Sequence, residues 1–395
     1  MRSFLNFLNE APKAKKKLNG VSFISLADFV TESLNEAAAP FLGAMTRKLP
    51  PQELDAYLSR IKTGSKEKSD KYKLPYIHGG NVEIVNDRGT TYDVDALRKL
   101  VTERPKQLLK QNEKMKHSDG TATQFYNIGL PALKGLAVDE RTGEFIVVDT
   151  CPGAGSCQLT CYAMKGGYVQ WKASSLSLTR VLNFLLNDPA GFTKMLSAEV
   201  AKAERTFSVK KVDVVVRWHD AGDFFSPDYM DLAYAVAREN PTVNFYAYTK
   251  ISSVASSQKP PNFLINFSAG ALPAEERNID FTKQKNSRIV PKSMFQDLIT
   301  RDAEPSTLIQ IDSAANKKKE KSLIRMKSPA ALTVLKTRLA KQYNVTTDSI
   351  LSYDEMQNLP KSGGAAAHWN VIVMPGQGDE SASRKDVLGT FLLFH

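Results

Sequence analysis

Residues 212–240, "VDVVVRWHDAGDFFSPDYMDLAYAVAREN", predict a strand, a polar turn and a helix that begins at Pro227. The apolar run of the strand is continuous, which is typical of a strand covered on both faces. Similar runs predict strands at 143–149, 243–250, 262–270 and 306–312, and helical spacing predicts helices at 173–187 and 189–205. Strands that alternate with helices predict parallel βαβ units, either in a barrel or in an open doubly wound sheet. We therefore expect an α/β fold with a (β/α) barrel-like or partial barrel core.

The charge balance and the apolar pattern restrict the class of protein that the sequence can encode. The 395 residues carry 53 Lys and Arg against 42 Asp and Glu, a formal net charge of +11, which favours a polyanionic partner such as a nucleic acid. Residues 1–120 are polar and predict a mostly helical accessory region, whereas residues 121–395 carry the barrel-like pattern. No apolar run approaches the roughly 18 residues of a membrane span, and the first residues do not resemble a secretory signal. We expect a cytoplasmic protein with no membrane partner.

All three cysteines of the chain lie in one Gly- and Pro-rich stretch, at Cys151, Cys157 and Cys161. This C-x5-C-x3-C spacing predicts a metal centre at the end of the strand 143–149. Three thiolates can hold a [4Fe–4S] cluster with one iron left open, and zinc would need a fourth ligand from elsewhere. The structural alternative is three ordinary buried cysteines. An odd count in a reducing compartment argues against a disulfide framework.

A second group of chemistry-bearing residues follows the strand 212–220. His219 and Asp220 come first, and Gly222 and Asp223 follow within the same turn. A histidine suits proton transfer, and a carboxylate held by a glycine turn suits an acceptor role. The functional interpretation makes His219, Asp220 and Asp223 catalytic, with Gly222 and Asp223 also contacting a cofactor. The structural alternative pairs Arg217 with an aspartate and uses Ser226 as the helix cap.

The next two strands also end in polar residues. Tyr248 and Lys250 alternate along one strand, so their side chains share a face. Ser268 comes at the end of the strand after that. In (β/α) barrels the chemistry lies at the carboxyl ends of the strands. We therefore predict Tyr248 and Lys250 as catalytic residues and Ser268 as a cofactor contact; a half-buried face without chemistry is the alternative.

Residues 317–341 form a strongly basic segment with nine Lys and Arg and a single glutamate. The segment predicts contacts with the phosphate backbone of a nucleic acid, because lysines and arginines displace its counterions. The alternative is a solvated surface helix. The residues predicted to bind nucleic acid are Lys317, Lys318, Lys319, Lys321, Arg325 and Lys327.

Three motifs in order, "CPGAGSCQLTCYA", "VRWHDAGDFFSPDY" and "NFYAYTK", resemble the bacteriophage gene product eighty-eight family. They are more distantly similar to the phage three-cysteine-motif proteins of the gene product thirty-seven and sixty-eight group. The likeness covers roughly residues 145–270 and the C-terminal "GTFLLFH". It implies a barrel-like α/β domain with a three-cysteine loop, in a protein of the host cytoplasm during infection.

This layout is similar to that of radical S-adenosylmethionine enzymes, in which a loop after the first strand ligates a [4Fe–4S] cluster. A Gly-Gly-Glu-type motif after their second strand holds the methionine amine. The resemblance puts Cys151, Cys157 and Cys161 in the loop, and Gly222 and Asp223 in the second motif. Two departures are that the usual spacing is C-x3-C-x2-C and that Asp stands in place of Glu.

Three functions from different classes follow from these patterns. The first is a phage metal-dependent enzyme that acts on a nucleic acid or a nucleotide through iron–sulfur and S-adenosylmethionine chemistry. The second is a zinc-containing DNA base-exchange enzyme of the transglycosylase-like barrel type, with Asp220 or Asp223 as nucleophile or base. The third is a DNA-binding or virion protein without turnover, in which a metal only holds a loop in place.

Overall fold

The computed structural model describes most of the chain from residue 123 onwards and shorter pieces before it. The described residues are 17–18, 21–22, 40–49, 74–78, 81–83, 94–111, 123–164, 168, 172–302, 323–359, 367–372 and 377–393. The predicted strand 306–312 lies outside them, as does most of the region 1–120 for which a helical content was predicted. Within the described residues, no helix has both the length and the apolar character needed to cross a membrane.

Eight parallel strands form the main sheet and are numbered β1 to β8 along the chain. They are Thr123–Asn127 (β1), Asp213–Trp218 (β2), Asn244–Thr249 (β3), Phe263–Ser268 (β4), Asn286–Ile289 (β5), Ile350–Ser352 (β6), His368–Ile372 (β7) and Val387–Leu392 (β8). Their spatial order is 6-7-8-5-4-3-2-1, and every neighbouring pair is parallel. The predicted α/β fold is therefore confirmed. No ladder among the described residues joins β1 to β6, so a closed barrel is not confirmed.

Helices alternate with these strands, as predicted. They are Val94–Thr102 (α1), Lys172–Asn187 (α2), Pro189–Ser208 (α3), Pro227–Glu239 (α4), Ser252–Ser256 (α5), Pro273–Arg277 (α6), Pro329–Tyr343 (α7), Tyr353–Asn358 (α8) and Gln377–Ser383 (α9). The start of α4 follows from its sequence, because Ser226 Oγ accepts a hydrogen bond from Tyr229 N at 3.1 Å and Pro227 occupies the first helical position. The predicted capping role of Ser226 is confirmed.

The two faces of the sheet pack against different helices. Val214 and Val216 of β2 belong to the large apolar core that also includes residues of α3 and α4. Val215 points to the other face, where it packs in a smaller cluster with Tyr246 of β3 and Ala382 of α9. Alternate residues of one strand therefore meet apolar partners on both sides, which explains the continuous apolar run seen in the sequence.

The strand before the first cysteine does not belong to the parallel sheet. Glu144–Asp149 pairs antiparallel with Lys134–Asp139 and with Thr46–Lys48 in a separate three-stranded sheet. Helix α1 packs on this sheet through Leu97 and Val101. The expectation that the cysteine loop follows a strand of the barrel is therefore corrected: a hairpin of the antiparallel sheet delivers the loop to the parallel one.

Candidate functional site at the carboxyl edge of the sheet

The cysteine loop, residues 150–164, lies against the carboxyl ends of β3 and β4. Gly155 N and Cys157 N both donate to Gly270 O, at 3.1 and 3.3 Å, and Leu272 N donates to Gly153 O at 2.9 Å. Gly270 and Leu272 belong to the turn that follows β4. The loop therefore reaches the parallel sheet through backbone hydrogen bonds, although the strand before it belongs to another sheet.

The two glycines of the loop permit this close approach. A Cβ atom on Gly153 would lie 2.5 Å from Lys250 O, and one on Gly155 would lie 2.1 Å from Ala271 O. Real side chains cannot occupy such positions against backbone atoms, so glycine is required for the loop to dock. The Gly-x-Gly pattern is thus explained by packing against the ends of β3 and β4.

The three thiols lie within electrostatic reach of one another. All three are free, and Cys151 Sγ accepts a hydrogen bond from Leu133 N at 3.3 Å. Burial raises the pKa of the Cys151 thiol, and the charges of Asp223, Cys161 and Cys157 raise it further. Burial also raises the pKa of Cys157, whereas the positive charge of Lys250 opposes that shift. The loop therefore places Cys151 and Cys157 near the Asp223 carboxylate, and Cys157 near the Lys250 ammonium group.

Soft thiolate donors suit both an iron–sulfur cluster and zinc, so the donor set fits the predicted metal chemistry. The side chains are not arranged as a metal site, because no three Cys, His, Asp or Glu side chains among the described residues converge closely enough to hold a metal ion. Metal binding by Cys151, Cys157 and Cys161 stays a prediction.

Asp223 joins the turn after β2 to the end of β3. Its Oδ1 accepts from Phe224 N at 2.7 Å, its Oδ2 accepts from Lys250 N at 2.8 Å, and the Thr249 hydroxyl donates to it as well. Burial raises the pKa of Asp223 to about 6, although these hydrogen bonds favour the charged form. The residue lies beside the cysteine loop, where Asp223 N donates to Thr150 O at 2.9 Å, and most of the hydrogen-bonding capacity of its carboxylate is used by the backbone.

His219 lies in an aromatic environment under the same turn. Its Nε2 and the Tyr229 hydroxyl are 2.8 Å apart, and its ring centroid is 4.6 Å from that of Phe224. Burial lowers the pKa of His219 to about 3, so the ring is neutral at ordinary pH. The His219 backbone has φ +67°, and Gly222 has φ +84°. These two left-handed residues turn the chain sharply between β2 and α4.

Lys250 and Ser268 meet at the ends of β3 and β4. Lys250 Nζ donates to Ser268 O at 3.1 Å, to Ser268 Oγ at 3.0 Å and to Ala269 O at 2.7 Å. The two predicted residues are therefore brought together, with the ammonium group bound to oxygen atoms on the neighbouring strand end.

Asp220 points to a different part of the edge from Asp223. Its Oδ2 accepts from Asn127 Nδ2 at 2.6 Å and from the Tyr168 hydroxyl at 3.1 Å. Its Oδ1 is buried with no hydrogen-bond partner among the described residues. Burial raises the pKa of Asp220, and the positive charges of Arg217 and Lys110 oppose the shift. Asp220 thus connects the end of β1 with the segment after the third cysteine.

Beside Asp220 lies a tyrosine–arginine cluster, which we define as Tyr162, Tyr168, Arg217, Tyr246, Tyr248 and Asp379. Arg217 Nη1 pairs with Asp379 Oδ1 at 2.6 Å, and the Tyr246 hydroxyl donates to the same oxygen at 3.0 Å. The guanidinium carbon of Arg217 is 5.1 Å from the centre of the Tyr248 ring. Arg217 does pair with an aspartate, as the structural alternative supposed, but its partner comes from α9.

Sequence patterns alone do not identify several members of this region. Tyr162 and Tyr168 follow the third cysteine closely, and two tyrosines so near a predicted metal loop were a usable signal. Asn127 and Asp379 carried no local signal, because their partners lie far away in the sequence: 93 residues separate Asn127 from Asp220, and 162 separate Arg217 from Asp379.

Comparison with known sequences assigns the family. A profile described as "Gene product 88" matches residues 106–342, which is more than half of the chain. The chain belongs to the gene product 88 family. It is similar to the Gene 88 protein of Mycobacterium phage L5, with 33% identity over 147 residues, and to that of Mycobacterium phage D29, with 31% identity over 147 residues. Each match covers 36% of this chain and 56% of the relative. The chain thus spans about half the length of these curated relatives, and no solved structure matches.

The gene product 88 match takes in the docked loop, the turn after β2, β3, β4 and the basic segment. Of the predicted nucleic-acid contacts, Lys317, Lys318, Lys319 and Lys321 lie outside the described residues. Arg325 lies on the strand Leu323–Met326, which pairs antiparallel with Ile299–Asp302, and Lys327 is exposed just before α7. The second half of the segment lies in helix α7.

Proposed function

We propose that this member of the gene product 88 family is an enzyme that acts on a nucleic acid or a nucleotide at the carboxyl edge of β2, β3 and β4. One observation carries the proposal: the docked cysteine loop, Asp223, Lys250 and the tyrosine–arginine cluster all lie at that edge. Open parallel sheets bind their ligands outside the carboxyl ends of the strands. The net charge of +11 suits a polyanionic substrate.

We propose further that Cys151, Cys157 and Cys161 hold an iron–sulfur cluster. Such a cluster, when bound, supplies an open iron that can bind S-adenosylmethionine and donate an electron to it. In this proposal Lys250 favours the thiolate of Cys157 by its positive charge. Asp223 connects the cysteine loop with the end of β3, because its N donates to Thr150 O at 2.9 Å and its Oδ2 accepts from Lys250 N at 2.8 Å. Gly222 and Ser268 stay predicted cofactor contacts at the same edge.

Anaerobic purification tests the metal half of the proposal. Iron, sulfide and zinc are measured per chain in the wild type and in the variant in which all three cysteines are replaced by Ser. We expect the wild type to contain iron, to show a brown absorption band and to cleave S-adenosylmethionine after reduction. The variant should do none of these. Zinc without iron would favour the base-exchange enzyme, and equal metal content in both proteins would exclude a metal site in the loop.

A second candidate is a nucleic-acid-binding protein without turnover. Two observations favour it: no three metal-ligating side chains converge among the described residues, and Asp223 is already bonded to backbone groups. It predicts binding to DNA with no change in the nucleic acid or in S-adenosylmethionine, even when metal is supplied. Product analysis by mass spectrometry of the incubated nucleic acid separates the two candidates.

The basic segment gives a test of nucleic-acid binding that does not depend on the metal. Replacing Lys317, Lys318, Lys319 and Lys321 by Glu should weaken DNA binding and lower the slope of log affinity against log salt by about one unit per lost phosphate contact. The matched control reverses four exposed lysines elsewhere, at Lys106, Lys202, Lys210 and Lys211. Equal slopes for the two variants would mean that the segment makes no specific contact with phosphates.

A further inference from the structure

Three partly buried tyrosines of the tyrosine–arginine cluster adjoin one another, and we call them the wall: Tyr162, Tyr168 and Tyr248. The centroids of the Tyr162 and Tyr168 rings are 5.7 Å apart with the rings nearly perpendicular. Arg217 connects this pair to the third ring: its Nη2 is 3.4 Å from the Tyr162 hydroxyl, and its guanidinium carbon lies 5.1 Å from the centre of the Tyr248 ring. Tyr162, Tyr168 and Tyr248 are each partly exposed to solvent as residues.

The hydroxyl group of each ring is held by the protein. Tyr168 donates to Asp220 Oδ2 and Tyr248 donates to Gly378 O, both at 3.1 Å, and Tyr162 accepts from Arg217. Burial also raises the pKa values of all three phenols, so they stay neutral at ordinary pH. The hydroxyl group of each tyrosine is thus bonded to the protein, which fixes the ring. Rings fixed in this way lose little rotamer freedom when a planar group stacks on them.

The charges around the wall indicate which planar group it suits. Arg217 contacts the wall and Lys110 lies within electrostatic reach of Asp220 beside it, in a chain with a net charge of +11. Flat aromatic groups linked to phosphates are the bases of nucleic acids and nucleotides. Proteins bind unpaired bases by stacking them on tyrosine rings and arginine guanidinium planes next to a basic surface.

We infer that Tyr162, Tyr168 and Tyr248 form a binding subsite for a nucleobase, which stacks on the wall at the carboxyl edge of β2 and β3. This inference rests on the proposed function, and it adds the unpaired base as the part of the substrate that the site recognises. Asp220 acts here as a positioning residue, because its carboxylate fixes the Tyr168 ring through the hydroxyl.

Binding of a short single-stranded oligodeoxynucleotide and of its abasic counterpart tests the subsite. Tyr168→Leu should weaken binding of the oligonucleotide about tenfold and leave binding of the abasic strand unchanged, because stacking requires the base. The control is Tyr126→Leu: Tyr126 lies on β1 and packs on Phe207, at 6.4 Å between ring centroids, away from the wall. Equal affinities of Tyr168→Leu and the wild type for the oligonucleotide would overturn the inference, as would equal losses for both strands.

Two Asp220 variants sharpen the test of positioning. Asn can still accept from both Asn127 and Tyr168, so Asp220→Asn should bind the oligonucleotide like the wild type. Asp220→Ala and Tyr168→Phe each remove the hydrogen bond that fixes the Tyr168 ring, so each should weaken binding of the oligonucleotide, and their affinities should agree within about threefold. An Asp220→Ala variant that binds normally would exclude the positioning role.

A measurement on the wild type covers the case in which Tyr168→Leu does not fold. Ultraviolet irradiation of the complex with an iodouracil-substituted oligonucleotide should cross-link the base to Tyr162, Tyr168 or Tyr248, as read by peptide mass spectrometry. Cross-links confined to other parts of the chain would overturn the inference. None of these assays requires metal or turnover. A chain that binds the base but holds no metal and shows no turnover would therefore refute the proposed function and leave the subsite standing.

Discussion

The carboxyl edge of the sheet holds two neighbouring regions that are built in different ways. In the docked region, Asp223, Lys250 and Gly270 bond to backbone groups, and each bond joins two segments of the chain. In the tyrosine–arginine cluster, Arg217, Asp379 and the tyrosines bond mainly to one another through their side chains. Two aspartates only three residues apart, Asp220 and Asp223, fall on opposite sides of this division.

The difference separates framework from recognition surface. A side chain that satisfies backbone groups cannot be removed without leaving buried donors unpaired, so its loss mainly affects folding. Side chains that bond to one another at a partly exposed surface can be exchanged with smaller effects on the fold. Variants in the docked region should therefore affect stability first, and variants of the partly exposed Tyr162, Tyr168 and Tyr248 should affect ligand binding first.

The largest effect is expected from Gly155→Ala. The new methyl group would lie 2.1 Å from Ala271 O, so the cysteine loop has to leave its position on the end of β4. We expect a loss of about 3 kcal/mol in the free energy of unfolding and faster reaction of Cys157 with a thiol reagent. Gly378→Ala is the control, because a Cβ there meets no atom closer than 3.5 Å. Similar values for the two variants would show that the loop is not docked as described.

Second comes a matched pair of charge removals. In Asp223→Asn an amide NH₂ group would face either Phe224 N or Lys250 N, leaving a buried donor unpaired, so we expect a loss of about 2 kcal/mol in chemical denaturation. In Asp220→Asn the amide oxygen can serve both partners, and removal of a buried charge offsets part of any cost. The expected change there is below about 1 kcal/mol. The reverse order of the two losses would contradict the division into framework and recognition surface.

Third is the pH dependence contributed by His219. The pKa of His219 is about 3 in the folded chain against an ordinary value of 6.5, so the unfolded chain binds this proton first as the pH falls. Stability from His219 is therefore present above pH 6.5 and lost between pH 6.5 and 3. Asp223, whose pKa is raised from 3.8 to about 6, acts in the opposite sense between pH 6 and 3.8.

His219→Asn isolates the histidine, because asparagine tolerates the left-handed backbone at this position. Between pH 6.5 and 4 the melting temperature of the variant should fall less steeply than that of the wild type, whatever the offset between them. Parallel curves would mean that the histidine takes up its proton without unfolding.

The smallest effect is expected from Ser268→Ala. Lys250 Nζ would lose one of its three hydrogen bonds and keep the two carbonyl oxygens, Ser268 O and Ala269 O. We expect a loss of about 1 kcal/mol or less in the free energy of unfolding. A larger loss would contradict the minor role of this hydrogen bond, and a loss of cofactor binding at unchanged stability would move Ser268 from the framework to the binding surface.

Local sequence predicted the parts of the fold that depend on local rules. The strand–turn–helix of residues 212–240 follows from a continuous apolar run, the serine cap and the proline at the helix start, and it is confirmed. The partner of Arg217 could not be predicted in this way, because Asp379 enters the site only through the packing of α9 on the other face of the sheet. The apolar run at 143–149 predicted a strand correctly, but not its antiparallel partners, because apolar content does not encode strand direction.

The position of β8 bears on the order in which the chain folds. Strands β1 to β5 are neighbours in sequence order, whereas β8 pairs with β5 on one side and with β7 on the other. Until β8 arrives, two open strand edges face each other, and exposed edges of this kind invite pairing with other chains. Pairings between segments distant in sequence also form slowly. A nascent chain therefore keeps both edges open until Val387–Leu392 has left the ribosome.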